Sequence, residues 1–169
     1  LSVGAGGLAP GKYAVVLTAV DSRGEESGAT AVQTIDLPNG GGITLSGLPT
    51  SVGTNDTVVY ITDPDGEKLR AAARFPAVFP SYTIADVAAG GDCDTQFLAP
   101  MPAGTSITWL AGRLYTAKNN VLSFSEALRP HLHNPAHGFV QFSGLISFIE
   151  AVTDGIYVGD SRGVWFMAG

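Results

Sequence analysis

Apolar residues in this chain come in short runs, each stopped by a cluster of Gly, Pro, Asp, Asn or Ser. That is the pattern of strands joined by turns. Leu1 to Gly11 is glycine-rich with Pro10 and reads as an incoming linker. Lys12 to Val20 (KYAVVLTAV) predicts a strand from its β-branched content and length. The polar run Asp21 to Ser27 predicts a turn in which Gly24 can take positive φ. Ala31 to Leu37 and Ile43 to Leu48 follow as strands on either side of Pro38-Asn39-Gly40-Gly41-Gly42. Thr57 to Thr62 (TVVYIT) is the clearest strand of the first half, and Asp63-Pro64-Asp65-Gly66 turns it back into Lys68 to Phe75 as a hairpin. The alanines of Leu69 to Arg74 would also suit a helix, but one too short to stand alone. Ser81 to Ile84 is a last strand before a loop at Asp86 to Gly91. About seven short strands at spacings of ~8–12 residues predict an antiparallel sandwich.

Two prolines make Ala99-Pro100-Met101-Pro102-Ala103-Gly104 an extended, semi-rigid connection. The chain is thus divided into a module at 1–98, a linker at 99–105 and a second module at 106–169. In the last, Ile107 to Leu110, Arg113 to Ala117 and Val121 to Phe124 form strands, with left-handed geometry expected at the Lys118-Asn119-Asn120 turn. Ser125 to His137 reads as irregular. Phe139 to Phe142, Ile146 to Thr153, Ile156 to Val158 and Val164 to Met167 complete the pattern. These strands make two meanders, roughly 106–125 and 145–168, like the blades of a propeller. Blade repeats span ~40–50 residues and a closed ring needs about four or more, so two imply a piece of a longer protein. The start at Leu1 and the strand-like end GVWFMAG point the same way.

Composition changes this picture little. With 45% apolar and 14% charged residues the chain is not a disordered acidic tail. Its 22 glycines and 10 prolines are scattered, as suits many turns. A formal charge of -6 argues against binding nucleic acid through phosphate contacts, though not against lining a channel through which DNA slides. The single Cys93 excludes an intramolecular disulfide framework and reads as an ordinary loop thiol. No apolar run approaches the ~18 residues of a membrane span, and no signal segment is visible.

The residues that could carry chemistry have simpler readings. His131, His133 and His137 form H-x-H-x-x-x-H, and imidazoles two apart on a strand share a face. Pro130 and Pro135 interrupt that geometry, so loop packing or a subunit contact is expected. Asp63, Asp65 and Glu67 lack calcium-loop spacing and fit turn chemistry. Asp92 and Asp94 flank Cys93 in a solvated loop, and Glu25-Glu26 sits on a turn. Ser125-Glu126 with His131 has no nucleophile elbow or oxyanion-hole loop around it. Trp109, Tyr115, Phe124, Phe139, Phe142, Phe148, Tyr157, Trp165 and Phe166 are expected in the core or between sheets more than on a sugar-binding platform. Arg113 and Arg162, each near a turn glycine, are candidates for a subunit contact or an ordinary surface role. No catalytic, cofactor-binding or metal-binding residue is assigned, and an enzyme is not expected.

Two resemblances add to this reading. The stretch GKYAVVLTAVDSRGEESGAT, with Tyr13, Asp21, Gly24, Glu26 and Ser27, resembles the middle of a fibronectin type III-like domain and implies a sandwich over about 80 residues. Farther on, Gly112, Arg113, Leu114, Tyr115, Ala117, Val121, Ser125, Glu126 and Pro130 resemble a segment of tailed-bacteriophage virion proteins in which a fibronectin-like module precedes a β-propeller. Ile146, Ile149, Val152, Asp154, Gly155, Tyr157, Val158, Gly159, Gly163, Val164 and Gly169 extend that likeness; Asp160 stands where Thr is expected. The resemblance implies an all-β fold, an immunoglobulin- or fibronectin-like sandwich followed by partial propeller-like meanders. It implies a structural virion component of the tail or head–tail junction, working without cofactors through other virion proteins, in a homo-oligomeric ring, with non-specific proximity to viral DNA. The alternative is an extracellular or surface module that binds carbohydrate or a receptor on the same scaffold. A hydrolase fragment without its catalytic part is a third.

Overall fold

The computed structural model describes residues 1–50, 53–86 and 88–169. It is all-β, with antiparallel sheets and no helix among those residues. The chain divides into two compact units, Leu1–Gln96 and Phe97–Gly169.

In the first unit β1 (Ser2–Leu8), β4 (Gly41–Ser46) and β7 (Ser81–Ile84) make one sheet, in the order β1-β4-β7. The other holds β2 (Gly11–Asp21), β3 (Gln33–Leu37), β5 (Thr54–Ile61) and β6 (Arg70–Pro76), in the order β3-β2-β5-β6. Tyr13, Val15, Leu37, Val59, Ile61 and Phe75 of the larger sheet pack with Leu8, Ile43, Leu45 and Ile84 of the smaller. Side chains alternate faces along a strand, so two facing apolar rows bury each other. Each fully buried aliphatic among them contributes about 1.5–3 kcal/mol relative to exposure.

The larger sheet is buried on its other face as well, which is why β2 and β5 read as unbroken apolar runs. Val16, Val20, Val58, Tyr60, Leu69 and Cys93 form a second cluster there. Residues 27–30 and 90–95 lie over it, tied by Ser27 N to Ala19 O (2.8 Å), Ala29 N to Thr95 O (3.2 Å) and Cys93 N to Leu69 O (3.1 Å). Cys93 therefore belongs to a packed layer, although its segment is irregular. The expected hairpin is present: β5 and β6 pair from Asp56↔Pro76 to Ile61↔Arg70, so the alanines of β6 are in a strand and not a helix. Of the loop predicted at 86–91, Val87 lies outside the described residues.

The expected linker at the start is instead β1, which pairs with β4 through Ser2↔Thr44, Val3↔Ile43 and Gly4↔Gly42. Its glycines hide the strand because they have low β-propensity, yet they are what the packing needs. A Cβ on Gly6 would lie 2.8 Å from Ala85 Cα and from Gly41 O, so the backbones approach more closely than side chains allow.

In the second unit β9 (Ser106–Leu110), β10 (Arg113–Lys118) and β11 (Val121–Glu126) form a meander. The strands β12 (Arg129–His133) and β13 (Phe139–Gln141) pair with the two ends of β11, and β8 (Ala99–Pro100) adds to β12. A separate sheet runs β14 (Ile146–Val152), β15 (Gly155–Asp160), β16 (Gly163–Ala168). The β9–β10 turn places Ala111 at φ 49° and Gly112 at φ 76°, the left-handed pair of a tight hairpin. Asn119 takes φ 56° in the next turn, as its side chain permits. Between the sheets, Ala117 and Leu122 pack with Ile149, Ile156 and Val158. No closed barrel or propeller is formed among the described residues.

Two expectations change here. Ser125 to His137 contains a real strand, β12, entered through Leu128 at φ 60° and an irregular step between Ser125 and Glu126. Pro130 concealed it from a propensity reading. The segment 99–105 is stitched to the second unit: Leu132 pairs with Pro100, Met101 N donates to His131 O (3.0 Å), and Thr116 Oγ1 donates to Pro102 O (2.9 Å). Proline removes a donor, but its carbonyl still accepts.

Candidate interaction surface

The three histidines do not form a site. His133 is buried on β12 with Nδ1 3.1 Å from Phe124 O, while His137 is exposed in the following turn. Among the described residues no cluster of three or more His, Cys, Asp or Glu could hold a metal ion. Asp65, at φ 56°, accepts from Lys12 N at 3.1 Å, and Gly66 N donates to Asp63 O at 3.0 Å, which is turn chemistry. Asp92 pairs with Lys68 at 2.8 Å on the surface.

The Ser125 hydroxyl is buried and occupied, accepting from Leu114 N (2.9 Å) and donating to Glu126 O (3.0 Å). Arg113 turns inward: Nη1 donates to Ser125 O, and the guanidinium lies 5.7 Å from the centre of the Phe124 ring. Arg162 remains exposed at the β15–β16 turn.

Glu26 has a role that its place in a turn concealed. Thr18 Oγ1 (2.5 Å) and Tyr60 OH (2.7 Å) both donate to its Oε1. Asp21 accepts from Arg23 N and Glu25 N, and Gly24 sits at φ 84°. The run Asp21 to Ser27 thus folds back so that Glu26 reaches the outer layer of the larger sheet. Burial, then the Glu26 hydrogen bond and charge, push the Tyr60 phenol well above its ordinary range. An open cleft of about 490 Å³ borders Glu26, Tyr60 and Ala71 to Arg74.

The aromatic residues depart most from expectation. Tyr115 and Phe142 pack against the second unit's core. Trp109, Phe139, Phe148, Tyr157, Trp165 and Phe166 are each between 42% and 50% exposed. For Phe148, Tyr157 and Phe166 the cause is the layer order: the β14–β15–β16 sheet buries Ile149, Ile156 and Val158 on one face, and these three rings stand on the other. The Tyr157 and Phe166 rings are 5.0 Å apart. A Cβ on Gly159 would enter the Phe148 ring and one on Gly155 would meet Phe166, so each ring lies across a glycine of β15. Val152 and Val164 continue this face, which holds one carboxylate, Glu150.

Sequence reading missed Leu128, Leu145 and Phe97, all more than 60% exposed and all outside strands. An apolar side chain at a turn or connection was the available signal. No helix among the described residues is long and apolar enough to cross a membrane. No protein-family model, curated protein or solved structure matches the chain.

Proposed function

We propose that this chain is a structural component of a tailed-bacteriophage virion that acts in tail or head–tail assembly by subunit contacts, without catalysis. The observation that carries this reading is the aromatic outer face of the β14–β15–β16 sheet, Phe148, Tyr157 and Phe166, with Val152 and Val164. A contiguous apolar patch rimmed by polar residues is the property of an interaction site. The resemblance of Gly112 to Pro130 and of Ile146 to Gly169 to virion segments supplies the kind of assembly. The division of the first unit into sheets of three and four strands supports the fibronectin type III-like reading. The two facing meanders of the second unit support the propeller-like one.

On this reading the partners are other virion proteins and further copies in a ring. A net charge of -6 keeps passing DNA from adhering. Mass spectrometry of purified particles, together with the oligomeric state and a glycan-binding screen of the isolated chain, tests it. Presence in particles is the expected result. Absence from particles, with a monomer that binds a glycan, replaces this reading with that of a surface binding module.

A further inference from the structure

The open cleft of about 490 Å³ on the outer face of the larger sheet is lined by residues of the first unit. Val20, Val58 and Ala71 belong to the apolar cluster of that face and give the cleft its apolar lining. Gly24, Glu26 and Gly90 border it too. A Cβ on Gly24 would meet nothing within 4 Å, so the turn leaves the entrance clear on its side.

Two charged side chains stand at this cleft, and they are held differently. Arg74 is committed to Asp56: its Nε and Nη2 both donate to Oδ2, at 2.8 and 2.7 Å. Glu26 is held by the hydroxyls of Thr18 and Tyr60, which fix the carboxylate without cancelling its charge. A carboxylate accepts about four hydrogen bonds, so these two do not exhaust it. The surrounding field has the same sign. The first unit has 11 Asp and Glu against five Lys and Arg, a formal charge of -6 that is the whole charge of the chain, whereas the second unit has four of each. Such an imbalance draws cationic partners to the first unit.

We infer that the cleft takes a lysine side chain of a basic protein partner, its methylenes lying along Val20, Val58 and Ala71 and its ammonium donating to Glu26. A long cationic side chain covers apolar surface with its stem and keeps its charge at the tip. Lysine suits this carboxylate better than arginine. A guanidinium pairs best with both oxygens at once, and two hydroxyls already donate to Oε1, while an ammonium is a point charge satisfied at one oxygen. A side chain carried by a protein also suits the cleft better than a free amine. Sites for free small molecules bury about 70–90% of the ligand, and this cleft stands open, with room for the partner's main chain across its mouth. Charge complementarity then steers the encounter. The inference goes beyond the virion reading and does not rest on it.

Titration of the whole chain with the peptide acetyl-Gly-Lys-Gly-amide, followed by backbone amide chemical shifts, tests the site. The expected result is a dissociation constant of about 1 mM, with the shifts gathered at Gly24, Glu26, Ala71 and Gly90. Acetylating the lysine Nζ of the peptide removes the ammonium, and Glu26→Gln removes the carboxylate charge. Each should weaken binding roughly 10-fold or more. The Gln amide oxygen still accepts from Thr18 and Tyr60, so the turn stays fastened. Ala89→Lys, at an exposed position on the same cleft, sets an ammonium there without touching a buried group and should weaken binding similarly. No shifts at these residues up to ~20 mM peptide, or an affinity unchanged by both substitutions, overturns the site. An acetylated peptide, an arginine peptide or cadaverine that binds as tightly as the lysine peptide overturns the lysine assignment. Lysine binding by a chain absent from particles leaves this site standing and removes the virion reading. A chain present in particles that does not bind the peptide does the reverse.

Discussion

Glu26→Ala removes the acceptor shared by Thr18 and Tyr60. Both donors are buried, and the two hydrogen bonds are 2.5 and 2.7 Å long. A buried hydroxyl left without a partner costs about 1–3 kcal/mol. The neighbouring cleft admits water to this side of the sheet, which places each cost at the low end, for a total of ~2–3 kcal/mol. Tyr60→Phe removes one donor and leaves Glu26 bonded to Thr18, for about 1–1.5 kcal/mol. Because the first substitution strands the group that the second deletes, the double variant should fall short of additivity by ~1–2 kcal/mol. Urea unfolding followed by far-ultraviolet circular dichroism measures all three. Trp109 and Trp165 both lie in Phe97–Gly169, so tryptophan fluorescence does not sample this unit directly. Hydrogen exchange of peptides covering Thr57–Ile61 localises the loss. Additivity within about 0.5 kcal/mol, or a Glu26→Ala cost below that, refutes the idea that Glu26 fastens the turn to the sheet.

Leu122→Ala empties a fully buried position between the two sheets of the second unit and should cost about 2–5 kcal/mol in urea unfolding followed by tryptophan fluorescence. Gly155→Ala should destabilise more than Gly159→Ala: the new Cβ meets the fixed Met167 carbonyl in the first case and a half-exposed Phe148 ring that can swing away in the second. Thermal melts of the two variants compare them. Burial pushes the Cys93 thiol up, so alkylation by iodoacetamide at pH 8 should be roughly 100-fold slower in the folded chain than in urea. Asp21 is held below its ordinary range, chiefly by the Glu25 amide. For Asp160 the upward push of burial is outweighed by hydrogen bonds from the Arg162 amide, the Trp165 indole and the Gly163 amide. A depressed carboxyl stabilises the fold above its unfolded pKa of about 3.9 and loses that contribution as pH falls through the folded value. Converting both residues to Asn should therefore flatten the acid limb of the stability profile below about pH 5.

How much of this was legible in sequence differs by element. The β5–β6 hairpin was, because Pro64 and Asp65-Gly66 announce the turn and TVVYIT has no other comfortable conformation. The meander of β9, β10 and β11 was as well, since Gly112 and Asn119 mark its reversals. β1 was not: a run of glycines looks like a linker until β4 and Ala85 are seen to need its missing side chains. Nor was β12, whose Pro130 speaks against a strand that its neighbours on both sides nevertheless accept.

The candidate surface divides along the same line. An aromatic residue on an alternating strand is known to face one side of a sheet. Which side is covered depends on the layer that comes to lie there. Tyr115 and Tyr157 stand in similar sequence surroundings, each in a strand after a turn glycine, yet only the first packs against the opposing sheet. Likewise Glu26 was visible as a turn carboxylate, while its two buried donors come from strands 8 and 34 residues away. Local propensity and periodicity settled that this chain makes short antiparallel strands, and where most of them turn. Burial is a property of pairs of layers. Only the tertiary structure could decide which apolar faces meet and which polar groups find each other.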